Sequence, residues 1–235
     1  MIILAMDTSA FAASAAVLRD GKIISECYVN CGMTHSQTIM RLVDSALSQS
    51  GTAFSAVDCL AVSCGPGSFT GVRIGVSALK GLCFASDMPC YGISTLEAMA
   101  YCAAVDNYLL CPVMDARCSQ VYTALFRHEN GELLRLTDDT PLTLSELSAL
   151  LYEKNENVLL TGDGTKIAYN FLKENNGKIF RFPEIFELQR ASGVAIAAYN
   201  RYNNGEEPSD SSKITPVYLR LSQAERELKN RSCKK

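Results

Sequence analysis

Cys59-Leu60-Ala61-Val62-Ser63-Cys64-Gly65-Pro66-Gly67-Ser68-Phe69-Thr70-Gly71-Val72-Arg73-Ile74-Gly75 carries the reading of the fold. Its first six residues are an unbroken, mostly apolar run of strand length, Gly65 to Gly67 supply a turn, and Ser68 or Thr70 can cap a following helix. From Gly71 to Ser86 the only charged side chains are Arg73 and Lys80. A helix lying on a sheet needs one apolar stripe, which Val72, Val76, Leu79 and Cys83 provide at helical spacing. Ile74, Ala78, Leu82 and Ala85 make a second stripe, and Gly71, Gly75, Ser77 and Gly81 keep parts of the surface low enough for another helix to approach. Such a helix is either the centre of one large core or a contact with another subunit.

Toward the N-terminus, Ile2 to Met6, Ala13 to Leu18 and Lys22 to Val29 read as an antiparallel meander turning at Asp20-Gly21. Thr34-His35-Ser36-Gln37 reads as a capping box opening a helix to Ser50, with a stripe of Ile39, Met40, Val43, Ala46 and Leu47. Beyond the central helix come a short strand, Cys90 to Ile93, and a second capping box, Ser94 to Glu97, starting a helix through Ala104. The order is βββαβαβα. After Asp106-Asn107 it begins again: strands at Leu109 to Met114, Val121 to Phe126 and Leu133 to Thr137, then a helix at Leu144 to Glu153. A strand at Val158 to Leu160 ends in Gly162-Asp163-Gly164, and helices follow at Lys166 to Asn175 and Val194 to Tyr202 with a poorly marked strand between. An α/β chain of two tandem units is expected. Residues 1–104 form the first, and 105–235 form the second with a polar linker at Asn203 to Ser212. The tail, Pro216 to Arg220, is expected to pack back on the first unit.

Composition narrows the function. The 235 residues are 48% hydrophobic and 20% charged, a soluble globular balance that can bury a sizeable core. A net charge of −3 argues against gripping nucleic acid unaided, and the basic cluster at Lys229 to Lys235 reads as a solvated end. Met1 to Met6 is too short for a signal segment, so a cytoplasmic chain without a membrane span is expected. Ten cysteines lie scattered with no Cys-x-x-Cys pair and read as small core residues, and Cys27 with Cys31 lacks two further zinc ligands.

Candidate chemistry is sparse. Asp7 can orient a magnesium-bound water, while Thr8 and Ser9 can donate to an oxyanion, or all three can bond neighbouring backbone at a strand end. Neither Asp7-Thr8-Ser9-Ala10 nor Asp115-Ala116-Arg117-Cys118 has a glycine inside the turn, which weakens a phosphate site. Free amides at Gly65, Gly67 and Ser68 can receive an anion, but the lysine of a Walker loop is missing. His35 in the capping box and His128 in a polar turn are the only histidines, and Gly-x-Ser-x-Gly is absent.

Two tandem βββαβαβα units resemble the actin, Hsp70 and sugar-kinase superfamily, whose subdomains are ribonuclease-H-like. Met6 to Ser9, Gly65 to Gly75, Ser94 to Ala98, Asp115 to Arg117 with Val121-Tyr122, and Pro216 to Arg220 narrow the resemblance to the TsaB (YeaZ-like) family. It covers the whole chain. It implies a non-catalytic subunit of the complex that moves a threonylcarbamoyl group from threonylcarbamoyl-AMP to the N6 amine of the adenosine after the anticodon. The tRNAs concerned read codons beginning with A. Implied partners are the catalytic relative TsaD, the ATPase TsaE and tRNA through the complex, with a homodimer when TsaD is absent. No intrinsic cofactor or metal is implied, and ATP or ADP would sit at the subunit surface. In TsaD-like relatives a His-x-x-x-His pair holds the metal, and Thr95 and Met99 stand at those positions here. Expected interface residues are His35, Ile39, Met40, Val43, Leu47, Val72, Arg73, Ile74, Ala78, Leu82 and Ala85. An independent ATP-dependent kinase or ATPase, or a metallopeptidase, are the alternatives.

Overall fold

The computed structural model describes residues 1–174 and 177–220. Strands β1 (Ile2–Asp7), β2 (Ala13–Arg19) and β3 (Lys22–Val29) form the meander, with Ile2 opposite Arg19 and Ala13 opposite Val29. Asp20 and Gly21 both take positive φ, as an Asp-Gly hairpin turn requires. Helix α1 (His35–Gln49) leads to β4 (Cys59–Gly65), which joins β1 in parallel. Helix α2 (Phe69–Ser86), strand β5 (Cys90–Ser94) and helix α3 (Thr95–Cys102) complete the first half. Its sheet runs in the order β3-β2-β1-β4-β5.

The second half contains β6 (Leu109–Arg117), β7 (Gln120–Thr123), β8 (Phe126–Glu129), β9 (Glu132–Arg135), β10 (Thr140–Thr143) and α4 (Leu144–Lys154). It continues through β11 (Val158–Thr161), α5 (Thr165–Leu172), β12 (Ile179–Arg181) and α6 (Ala191–Asn203). The main path of its sheet is β10-β7-β6-β11-β12, which is the strand order of the first sheet with β8 and β9 added as a hairpin off β6. The repeat is therefore topological.

Several local expectations change. The third strand expected at Leu133 to Thr137 is instead the far arm of the extra hairpin, and the true third strand is β10. Pro141 sits in β10 because an edge strand leaves one row of amides unused. The run from Val121 to Phe126 breaks at Ala124-Leu125 into β7 and β8, which pair with separate stretches of β6 and then with β10 and β9 respectively. Thr34 occupies the N-cap of α1 without a side-chain cap bond, so the box expected there does not form. A complete box forms at α4, where Thr143 Oγ1 accepts from the Glu146 amide at 3.2 Å and the Glu146 carboxylate takes the Thr143 amide at 2.7 Å. The helix expected to reach Asn175 ends at Leu172, and Asn175 and the Lys229 to Lys235 cluster lie outside the described residues.

Packing crosses the 104/105 boundary. Ile39, Val43, Val72, Val76 and Leu79 of α1 and α2 cover one face of the first sheet against Leu4, Met6 and Val62. Its other face is covered by α6, through Ala191, Val194, Ala195, Ala197 and Ala198 against Ile3, Ala5, Ala16 and Leu18. In return α3 sends Leu96, Met99 and Ala100 against Leu110, Met114 and Tyr122 of the second half. Gly193 is required where α6 meets α3, because a Cβ there would strike the Ala98 carbonyl. The boundary thus separates two sheets but not two cores. Each fully buried Val or Leu contributes about 1.5–3 kcal/mol, so exchanging these helices ties the halves firmly.

Candidate functional site

A cleft of about 390 Å³ opens between the halves, lined among others by Ser9, Phe11, Ser68, Phe69, Asp115 and Arg117. It lies at the carboxyl ends of β1, β4 and β6, where open α/β sheets place ligands. Asp7 closes β1 and is fully buried; its Oδ1 accepts from the Ser9 amide at 2.8 Å and from Ser9 Oγ at 2.7 Å, while Oδ2 has no partner. Burial pushes its pKa up to about 6, against the opposing pull of the two Ser9 bonds. Across the cleft, burial likewise raises Asp163 to about 6, and its Oδ1 accepts from the Asp115 amide at 3.1 Å. Asp115 is exposed and takes the Arg117 amide at 2.7 Å.

The donors expected for an oxyanion are engaged within the chain. Thr8 Oγ1 donates to the Gly71 carbonyl at 2.7 Å, Ser9 bonds Asp7, and the Ser68 amide donates to the Ser9 carbonyl at 2.7 Å. Ser68 Oγ caps α2 by accepting from Gly71 at 3.3 Å. The glycines explain themselves in the same way. A Cβ at Gly67, Gly71 or Gly75 would run into the Ser9 carbonyl, the Thr8 carbonyl or the Thr8 hydroxyl. Gly71 and Gly75 therefore face inward, correcting the expectation that they lower the outer surface; Gly81 has open space around it. The Thr8 and Ser9 hydroxyls and the Ser68 amide are thus committed within the chain, and the loop has no lysine to balance the charge of a triphosphate.

Metal chemistry has no better footing. Thr95 is buried with its hydroxyl 2.6 Å from Ser63 Oγ, and Met99 is core. Among the described residues no three His, Cys, Asp or Glu side chains gather as a metal group. His35 Nε2 lies 2.7 Å from the Ala10 carbonyl, which can only accept, so the ring donates and pins the start of α1 to the β1–β2 turn. His128 lies on β8 rather than in a turn, with Nδ1 2.7 Å from Asp106 Oδ1. The described cysteines are all free, with Cys59, Cys64, Cys83, Cys90 and Cys111 buried.

The outer face of α1 and α2 is different in kind. Phe84 is 93% exposed, Met33 48% and Met40 40%, next to exposed Ala85 and half-buried Leu47, Ile74, Ala78 and Leu82. Ile39, Val43 and Val72, expected on this face, are at most 2% exposed and belong to the chain's own core. Phe84, the most exposed large apolar side chain among the described residues, was not singled out from the sequence. Its position between the two expected stripes of α2 was visible in the sequence, but its direction was not. The tail packs back as expected: the Val217 amide donates to the Cys64 carbonyl at 2.7 Å, and the Tyr218 ring stacks on Phe69 at 4.6 Å.

By fold the chain is a two-lobed α/β protein of the actin-like kind, an architecture it shares with a ROK hexokinase of Thermus thermophilus at a TM-score of 0.51 and 12% identity. Residues 30–228 match the family model described as TsaD: tRNA N6-adenosine threonylcarbamoyltransferase. The chain is 34% identical over 226 residues to the tRNA threonylcarbamoyladenosine biosynthesis protein TsaB of Bacillus subtilis, with 96% of each chain covered. It is 32% identical over 231 residues to the TsaB of Escherichia coli, covering 97% of this chain and 98% of that one. A solved Pseudomonas aeruginosa structure, of an uncharacterized protein with similarity to peptidase YEAZ, matches with a TM-score of 0.77 and 27% identity. That match covers 93% of this chain and 99% of the other. The chain belongs to the TsaB family of tRNA threonylcarbamoyladenosine biosynthesis proteins. No helix among the described residues is long and apolar enough to cross a membrane.

Proposed function

We propose that this chain is a non-catalytic assembly subunit in the threonylcarbamoylation of tRNA. In this reading the outer face of α1 and α2 docks on the catalytic relative TsaD, TsaE joins that complex, and tRNA is reached through it. Two copies of the chain pair over the same face when TsaD is absent. The observation that supports this most is the outer apolar surface of a helix pair whose inner face is already covered: Met40 on α1 and, on α2, the stripe of Ile74, Ala78, Leu82 and Ala85, with Phe84 exposed about 100° further round the helix. Burying Phe84 alone would contribute about 1.5–3 kcal/mol to association, and Gly81 leaves room for a helix to approach. Transfer of the threonylcarbamoyl group from threonylcarbamoyl-AMP belongs to the partner in this reading, since Thr95 and Met99 stand where its metal ligands would be. ATP or ADP is assigned to the surface shared with the partner, because the Thr8 and Ser9 hydroxyls at this chain's own cleft are engaged internally and its loop has no lysine.

The test is tRNA threonylcarbamoylation by TsaD, TsaE and threonylcarbamoyl-adenylate synthase, with and without this chain, beside light scattering of its mixture with TsaD. Activity that requires the chain, together with a stable heteromer, is expected. Full activity without it and no heteromer would overturn the reading. Magnesium-dependent ATP turnover by the isolated chain would favour a kinase or ATPase, and chelator-sensitive cleavage a metallopeptidase. Variants separate face from core. Ala78→Asp should keep the fold and weaken the complex at least a hundredfold, because an unpaired charge would be buried on docking. Val43→Asp places the same charge in the core and should unfold the chain, at a cost of about 5 kcal/mol.

A further inference from the structure

Residues 216–220 make contacts on both rims of the cleft. On the first rim, the Val217 amide donates to the Cys64 carbonyl, and the Tyr218 ring lies on Phe69 with a 12° interplanar angle. The Tyr218 hydroxyl accepts from Arg73 Nε at 2.6 Å, and the Arg73 guanidinium also lies 5.3 Å from the ring centre. Gly65 is fitted to this contact. It stands at φ +116°, and a Cβ there would press on the Val217 carbonyl at 2.5 Å. On the second rim, Arg220 Nη1 donates to the Ala116 carbonyl at 2.5 Å and approaches the Arg117 carbonyl at 3.4 Å. Leu219 packs against the cluster that holds Met114, Ala116 and Tyr122. Phe69, Ala116 and Arg117 all line the cleft.

We propose that residues 216–220 are a latch that fastens the two rims, so that the cleft opens only when both anchors release together. The chain crosses between the halves twice before this, from α3 into β6 and then into α6, and each crossing is flanked by a buried helix. The latch is the third crossing and the weakest. Tyr218 is 39% exposed and Val217 41%, and its anchors are a few hydrogen bonds, the stacking of Phe69 and Arg73 on Tyr218, and one apolar side chain, Leu219, rather than a helix face. Segments with few buried apolar contacts open at the low end of a protein's stability range. Arg117, Cys118 and Ser119 beside the second anchor all hold positive φ, a conformation disfavoured for residues with a side chain and tolerated here where Arg220 binds the Ala116 and Arg117 carbonyls.

Hydrogen exchange by mass spectrometry on the full chain tests this with Arg220→Ala and Tyr218→Phe. Arg220→Ala removes only the second-rim anchor. A latch predicts that amides of residues 71–76, on the opposite rim, then exchange about tenfold faster, the ratio for losing one charge-assisted hydrogen bond. Tyr218→Phe removes only the hydroxyl held by Arg73 and should accelerate residues 113–123 across the cleft, by a smaller factor. Should Arg220→Ala fail to fold, Tyr218→Phe carries the test alone. Acceleration confined to the rim that each variant touches would overturn the proposal.

Discussion

The two halves share one strand order and differ in what they do with it. In each, the strand that pairs in parallel with the first is closed by a glycine of positive φ, Gly65 at +116° as the last residue of β4 and Gly162 at +111° just after β11. A second glycine follows, where the next helix comes down on the end of the first strand, Gly67 on Ser9 and Gly164 beside Asp115. These positions are dictated by the βαβ crossover and recur with it. What does not recur is the length and dress of the helix. The 18 residues of α2 carry an outer apolar face about five turns long, while the 8 residues of α5 bury Thr165, Ala168 and Leu172 and expose only the apolar Ile167 and Phe171 beyond them. The acids differ too, Asp7 being buried with a free oxygen and Asp115 exposed. Topology accounts for what the halves share, and the departures mark where the first half has surface and charge that its own fold does not use.

The largest expected effect tests the shared part. Gly67→Ala should cost about 3 kcal/mol in urea unfolding, because a methyl group would strike the Ser9 carbonyl, and Gly164→Ala about 1 kcal/mol, because its methyl would press less closely on the backbone of residues 113–115. A cost in only one half would break the parallel. Next comes the acid pair. Asp7→Asn keeps an acceptor for Ser9 and removes a carboxylate whose pKa is raised from 3.8 to about 6. A raised acid favours the folded state when protonated, so this contribution is full below pH 4 and is lost as pH rises toward 6. The variant should therefore gain up to about 3 kcal/mol above pH 6 and nothing near pH 4. Asp115→Asn, on an exposed group, should stay within about 0.5 kcal/mol throughout, and an equal pH response from both would erase the distinction. The smallest effect sharpens the difference between the helices. Gly81→Ala, with nothing within 4 Å of the added methyl, should stabilise the isolated chain by about 1 kcal/mol through helix propensity. Destabilisation would mean that α2 is not free on that side.

Much of this was legible in residue order. The strand at Cys59, the helix after Ser68, the meander around Asp20-Gly21 and the second round of elements all follow from periodicity and turn chemistry, which act within a few residues. The Asp7 to Ser9 site was legible only as a choice. Whether Thr8 and Ser9 meet a ligand or their own backbone depends on Gly71 and Asp7, and the structure spends their donors on those partners. The interface residues divided for a similar reason. Ile39 and Met40 are neighbours in sequence, yet one is 2% exposed and the other 40%. A 100° step around the helix separates core from surface, and nothing local fixes where the step begins.

The sequence by itself determined the element order of the first half, the outline of the second, the family and the glycines at the strand ends, because propensity, turn geometry and motif spacing are short-range properties. Only the tertiary structure decided that α3 and α6 exchange partners across the boundary, that β10 rather than β9 is the third strand, and that Phe84 stands clear of the core. These are questions of which surface covers which. Burial is settled by segments a hundred or more residues apart, as when the Ala191 amide finds Ser14 Oγ at 2.8 Å, and no local pattern carries that information.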